Sequence, residues 1–174
     1  VQSLPSRQIA ELVSTRQFDV GVVELPLTRP ATEIEPFEPV QSMAVIPSIH
    51  RLASKKQISL KDLDGERMVL LSQHSFVRYQ IDDAFSSLGV SPNVVLETPS
   101  SSIACALVAA GAGIALVSKW AAEPFAGPDL VVRPIKEVLS SRYALIFPEG
   151  AARLLLADAF ANDLREEIRT SDQT

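Results

Sequence analysis

Pro99-Ser100-Ser101-Ser102-Ile103-Ala104-Cys105-Ala106-Leu107-Val108-Ala109-Ala110-Gly111-Ala112-Gly113-Ile114-Ala115-Leu116-Val117 reads as a helix with an open start, a glycine stop and a buried strand. Pro99 and the three serines supply cap oxygens for the free N–H groups of a first turn. Ile103, Ala106, Leu107 and Ala110 recur at helical spacing, so one face can pack on a sheet. Gly111 and Gly113 end the helix, because glycine adopts the left-handed conformation that a C-cap requires. Ile114–Val117 is a continuous apolar run, as expected for a strand covered on both faces. A serine-rich helix start can bind a carboxylate, since its N–H groups point outward at the positive end of the helix dipole. The same serines also serve as plain caps.

Working outward, Ser6 opens a helix to about Ser14, with Ile9, Leu12 and Val13 on one face, and Phe18–Val23 follows as a buried strand. Val1–Ser3 reads as the tail of another strand. Glu24–Pro39, rich in proline and acid, is an exposed connection ending in a short extended piece. Met43–Pro47 is a strand, Ile58–Glu66 a turn capped by Ser59 and closed by Gly65, and Met68–Leu71 a strand. Ser72–Ser75 is a polar loop before a helix over 76–85. After Val117 come a short helix over 118–124, strands at 130–135 and 143–148, and a long amphipathic helix from Ala151 to about Ile168. That helix is expected to turn Leu154, Leu155, Phe160 and Leu164 inward, with Ser171–Thr174 frayed.

The chain has 174 residues, 47% hydrophobic and 21% charged, with a net charge of −5. That suffices for one sizeable core or two small lobes. The acidic balance argues against this piece gripping a phosphate backbone by itself. No run is long and apolar enough to cross a bilayer and no secretion signal is visible, so no membrane partner and a cytoplasmic location are expected. The lone Cys105 has no internal disulfide partner and reads as a buried small hydrophobe. His50 has no second ligand at metal spacing. There is no nucleophile elbow or phosphate-cradling glycine loop, so neither catalytic residues, metal nor cofactor is expected, and the chain is not read as an enzyme.

The segment Val108-Ala109-Ala110-Gly111-Ala112-Gly113-Ile114, set between an extended piece with Glu97-Thr98 and a buried strand, resembles a signature of the effector-binding domain of LysR-type transcriptional regulators. Ser6–Val23 and the Leu60-Lys61-Asp62-Leu63-Asp64-Gly65 turn also match that family's pattern. His50-Arg51-Leu52 departs from it, with Arg51 where the family usually has proline. Alternation of strands and helices independently argues for an α/β fold with parallel sheets.

The resemblance implies two Rossmann-like lobes joined by two crossovers, the type 2 periplasmic-binding-protein-like arrangement. Lobe I would be residues 1–42 with 119–174, and lobe II residues 43–118. A small-molecule effector would lie in the interlobe cleft, beyond the carboxyl ends of strands. Complete members carry a winged helix-turn-helix and a further strand and helix ahead of the segment matched here, so both are expected to precede Val1. DNA would be contacted only through that absent N-terminal domain. The family further implies a homodimer of this domain and a tetramer in the full-length protein.

Carried over position by position, the effector-binding candidates are Ser6, the loop residues Ser75, Phe76 and Val77, and the helix start Ser100 and Ser101. From residue chemistry, Arg78 is added as a bidentate partner for a second carboxylate, and Glu24 as a partner for an ammonium or guanidinium. Together these point to a zwitterionic, amino-acid-like effector, and the chain looks most like regulators that sense opines and basic amino acids. The alternative is a solute-binding protein for amino-acid-like ligands in transport, which shares the fold.

Overall fold

The computed structural model describes residues 1–28, 30–73 and 75–171. In chain order the elements are α1 Ser6–Ser14, β1 Gly21–Leu25, β2 Thr32–Pro36, β3 Val40–Pro47, β4 Arg67–Leu71, α2 Phe76–Leu88, β5 Asn93–Thr98, α3 Ser101–Ala109, β6 Ile114–Ser118, α4 Lys119–Ala122, β7 Leu130–Pro134, β8 Ser140–Pro148 and α5 Leu155–Ser171. They form two compact units. One comprises residues 1–38 with those from 142 onward, the other Pro39–Ser141.

In the second unit the strand order is β7-β3-β6-β4-β5. Only β4 with β5 and β4 with β6 are parallel, while β3 is antiparallel to both β6 and β7. The parallel sheet expected from the alternation of elements is thus confined to the β5-β4-β6 centre. β4 and β6 are apolar at nearly every position because both their faces are covered, while β5 at the edge is largely exposed. Ala44, Ile46, Met68, Leu70, Ile114 and Leu116 share a core with Val77, Ile81 and Phe85 of α2. Val45, Val69, Ala115 and Val117, one residue out of phase, share the other with Ala104, Cys105 and Val108 of α3.

The turn from α3 into β6 shows why the opening stretch needs two glycines. Gly111 has φ +81°, and its N–H donates to Val108 O at 2.9 Å, closing the helix. Gly113 has φ +156°, and a Cβ there would lie 2.3 Å from Arg67 O, the backbone at the start of β4. No other residue fits.

The first unit is built on β8, with β1 and β2 both antiparallel to it. Ala144 and Ile146 pack with Ala10 and Val13 of α1. Leu145 and Phe147 pack with Ala161 and Leu164 of α5.

Several expectations are corrected here. Residues 119–141 belong with the second unit, because β7 pairs with β3 over Met43–Pro47; the return to the first unit falls at 141/142 rather than at 118/119. Val1–Ser3 are not strand, and the first strand is Gly21–Leu25, starting later than the expected Phe18 and running on through Glu24 to Leu25. The final helix begins at Leu155 and turns Ala157 and Ala161 inward. Leu154, Leu155 and Phe160 stay exposed, at 57%, 90% and 46%. Small alanines let this helix approach the large Phe147, which the leucines would hold off. The fraying expected at 171–174 falls, beyond Ser171 itself, outside the described residues.

Candidate functional site

The carboxyl ends of β4 and β5 lie side by side, because the two strands are parallel with Leu71 opposite Thr98. Each feeds a helix start. Past β4 the chain turns through Ser72 and caps α2 with Ser75, and past β5 it caps α3 with Ser100. The two turns are tied together, since Ser72 N–H donates to Thr98 O at 2.9 Å. Ser100 N–H donates to Thr98 Oγ1 at 3.3 Å, and Ser100 Oγ accepts from Ile103 N–H at 3.4 Å. Two helix N-termini therefore share one edge of the sheet, each presenting partial positive charge and backbone donors. Ser101 is half-buried in the first turn of α3, and Phe76 is 36% exposed at the start of α2. This edge can hold a carboxylate or another small oxyanion.

Two residues expected to face a ligand do not. Val77 is 2% exposed and packs in the core beneath α2. Arg78 is 6% exposed and fully engaged inside the unit. Its Nε donates to both Asp82 carboxylate oxygens at 2.9 Å, and its Nη1 donates to Glu97 Oε1 and to Leu71 O, both at 2.7 Å. Burial opposes its charge, but the bonds to Asp82 and Glu97 outweigh that and raise its pKa further. Arg78 therefore pins α2 to the ends of β4 and β5.

In the first unit, Ser6 and Glu24 are neighbours. Ser6 is the first residue of α1, and its Oγ accepts a 3.0 Å hydrogen bond from Glu24 N–H. Glu24 lies within β1, opposite Tyr143, and not in the following loop as expected. The serine hydroxyl thus joins the helix start to the strand. A cavity of about 590 Å³ opens beside the same helix, lined by Pro5, Arg7, Gln8, Glu11, Pro26 and Leu27 among others. Ser6 and Glu24 do not line it.

Sequence reasoning passed over three serines on the second unit's sheet. Ser118 ends β6, next to β4, and stands opposite Ser42 of β3. Ser141 stands opposite Val40. Ser42, Ser118 and Ser141 are 0%, 5% and 1% exposed. The available signal was a hydroxyl closing the apolar run Ile114–Val117. Among the described residues, no group of three His, Cys, Asp or Glu could hold a metal ion. No helix of the described residues is long and apolar enough to cross a membrane.

These features define a class: a two-unit α/β ligand-binding fold with its candidate contacts at the carboxyl ends of parallel strands. The family follows from comparison. Residues 1–169 match the LysR substrate binding domain, and the chain belongs to that family, whose fold is periplasmic-binding-protein-like. It is 28% identical over 169 residues to the Regulatory protein NocR of Agrobacterium tumefaciens strain T37, covering 97% of this chain and 56% of that protein. It is 31% identical over 157 residues to the Transcriptional activator protein LysR of Escherichia coli K12, covering 90% and 50%. The chain thus spans about half the length of these curated relatives, which are named as regulators and not as enzymes. Among solved structures, HinK, a LysR family regulator from Pseudomonas aeruginosa, superposes with a TM-score of 0.76 at 24% identity, covering 95% of this chain and 58% of that one. The BenM effector binding domain with its effector benzoate gives 0.75 at 19% identity, covering 99% and 79%.

Proposed function

We propose that this chain is the effector-sensing part of a LysR-type transcriptional regulator and that its effector is a small amino-acid-derived carboxylate such as an opine. The paired helix starts of α2 and α3 carry this reading, because they put backbone donors and the hydroxyls of Ser75, Ser100 and Ser101 on one sheet edge. Kinship with NocR and LysR supports the regulatory role, and the sequence's own resemblance to regulators that sense opines and basic amino acids supports the ligand class. In the whole protein the domain pairs as a homodimer within a tetramer, and effector binding biases how a separate DNA-binding domain engages DNA.

A thermal-shift panel of opines, basic amino acids, dicarboxylates and aromatic acids tests the ligand class. A compound that binds only the folded state raises the melting temperature by mass action. A rise with an opine or a basic amino acid is expected. A rise with aromatic acids alone would refute the amino-acid-derived effector.

A further inference from the structure

Besides Gln80 Oε1 on α2, two serine oxygens on the sheet of the second unit stand out. Ser42 Oγ and Ser141 Oγ are shielded from solvent and hydrogen-bond to nothing. A buried hydroxyl without a partner is unfavourable next to an apolar group of the same size. The protein uses such a group one step along, since Ala44 is the next residue on the same face of β3.

The positions of the hydroxyls are systematic. Ser42 faces Ser118 directly across the β3–β6 pair. On its other side, Ser42 N–H donates to Leu139 O at 2.8 Å, so Ser141 lies two residues along the neighbouring strand, opposite Val40. Diagonal neighbours of this kind lie about 7–8 Å apart, within joint reach of one small ligand group. Further along the same face the side chains are apolar: Ala44 and Ile46 on β3, Leu116 and Ile114 on β6. The three serines therefore form a polar interruption of this apolar face, which continues beside them at the buried Val40 and Leu139. Ser118 also ends the strand beside β4, the strand that leads to Ser75.

We propose that Ser42 and Ser141, with Ser118 beside them, form a hydroxyl subsite that donates hydrogen bonds to a carboxylate oxygen of the effector. The inference rests on the sensor reading above and adds to it. An opine carries more than one carboxylate, so one is held at the helix starts of α2 and α3 and a second at the serines. Hydroxyls suit this role because each turns its proton toward an acceptor and brings no charge that must be neutralised in the free protein. Both oxygens are shielded, so a ligand reaches them only when the strands beside them yield. The β3–β8 pairing there is just two residue pairs long, Val40↔Ser141 and Gln41↔Ser140. It lies at the two points where the chain enters and leaves this unit, so occupancy of the subsite acts on those connections.

The test compares the wild type with Ser42→Ala, Ser141→Ala and the near-isosteric Ser42→Cys, whose thiol is a weak donor. The probe is whichever compound of the panel gives the largest melting shift with the wild type. Without it, all three variants are expected to keep the wild-type urea midpoint or exceed it, because no internal hydrogen bond is removed. With it, calorimetry is expected to show about tenfold weaker binding for each, the loss of one hydrogen bond to a charged acceptor. Amide exchange at residues 40–42 and 139–141 is expected to slow on binding in the wild type and not in Ser42→Ala. Wild-type affinity in the folded variants would overturn the subsite and leave the sensor reading standing. If no compound binds the wild type, the sensor reading fails and the subsite falls with it.

Discussion

Replacing Arg78 by methionine separates a structural arginine from a ligand-binding one. The substitution keeps an unbranched stem in the 6% exposed position but removes every donor. Asp82 and Glu97 lose their partner, yet their side chains are 47% and 42% exposed, so water takes over most of what is lost. Pairs this accessible contribute about 0.5–1 kcal/mol each. The bond to Leu71 O differs. It is a 2.7 Å charge-assisted contact to a buried carbonyl at the end of β4, and orphaning that oxygen costs about 1–2 kcal/mol. The sum is about 2–4 kcal/mol. For a domain of this size that corresponds to a fall of roughly 5–15 °C in melting temperature. Urea unfolding of the ligand-free protein, followed by circular dichroism, gives the difference directly. A loss below about 1 kcal/mol together with abolished effector binding would refute the reasoning and return Arg78 to the ligand contacts.

Gly113→Ala is expected to destabilise the domain by at least about 3 kcal/mol, since its Cβ would meet backbone at 2.3 Å and no side chain can move aside; thermal melting checks this. Gly21→Ala meets side chains alone, the Ile9 methyl at 2.4 Å with Ile146 Cγ1 at 3.2 Å and Val13 Cγ2 at 3.3 Å, and side chains can shift where backbone cannot, so a smaller loss is expected in the same assay. Burial pushes the Cys105 thiol up to about 11, so a thiol reagent at pH 8 should label it only after unfolding, and rapid labelling of the native protein would contradict its place in the core. Burial alone would raise the Glu35 carboxyl, but hydrogen bonds from Arg153 and Arg165 prevail and hold it below its ordinary 4.5. A depressed carboxylate contributes stability above its unfolded pKa and loses it as pH falls through the folded one. The stability of Glu35→Gln should therefore vary less than that of the wild type below about pH 4.5, as measured by urea midpoints at stepped pH.

What the sequence reveals and what it hides divide along the range of the interactions. The turn between α3 and β6 is legible because its requirements are local: Gly111 and Gly113 sit where only glycine can, and the serines cap the next-door N–H groups. The helix start at Ser100 is legible for the same reason. α5 is not, because its inward face is decided by a partner distant in sequence. Phe147 and Leu145 of β8 take up the space, so Ala161 packs on them while Leu155 and Phe160, apolar enough to suggest the opposite, face out. The unit boundary slipped likewise, because nothing in Leu130–Pro134 announces that its partner is Met43–Pro47. Arg78 looked free because its i+4 neighbour Asp82 is an ordinary surface pairing on any helix. What buries it is Glu97 and the Leu71 carbonyl, brought together only by the parallel β4–β5 pair. The serines at 42, 118 and 141 are the extreme case. Each alone is a small polar residue at a strand end, and their meaning lies entirely in the register that sets Ser42 against Ser118 and Ser141 against Val40. Residues whose role depends on pairing partners are hidden for a physical reason: a strand's own pattern fixes which way its side chains point, but its neighbours decide what they meet.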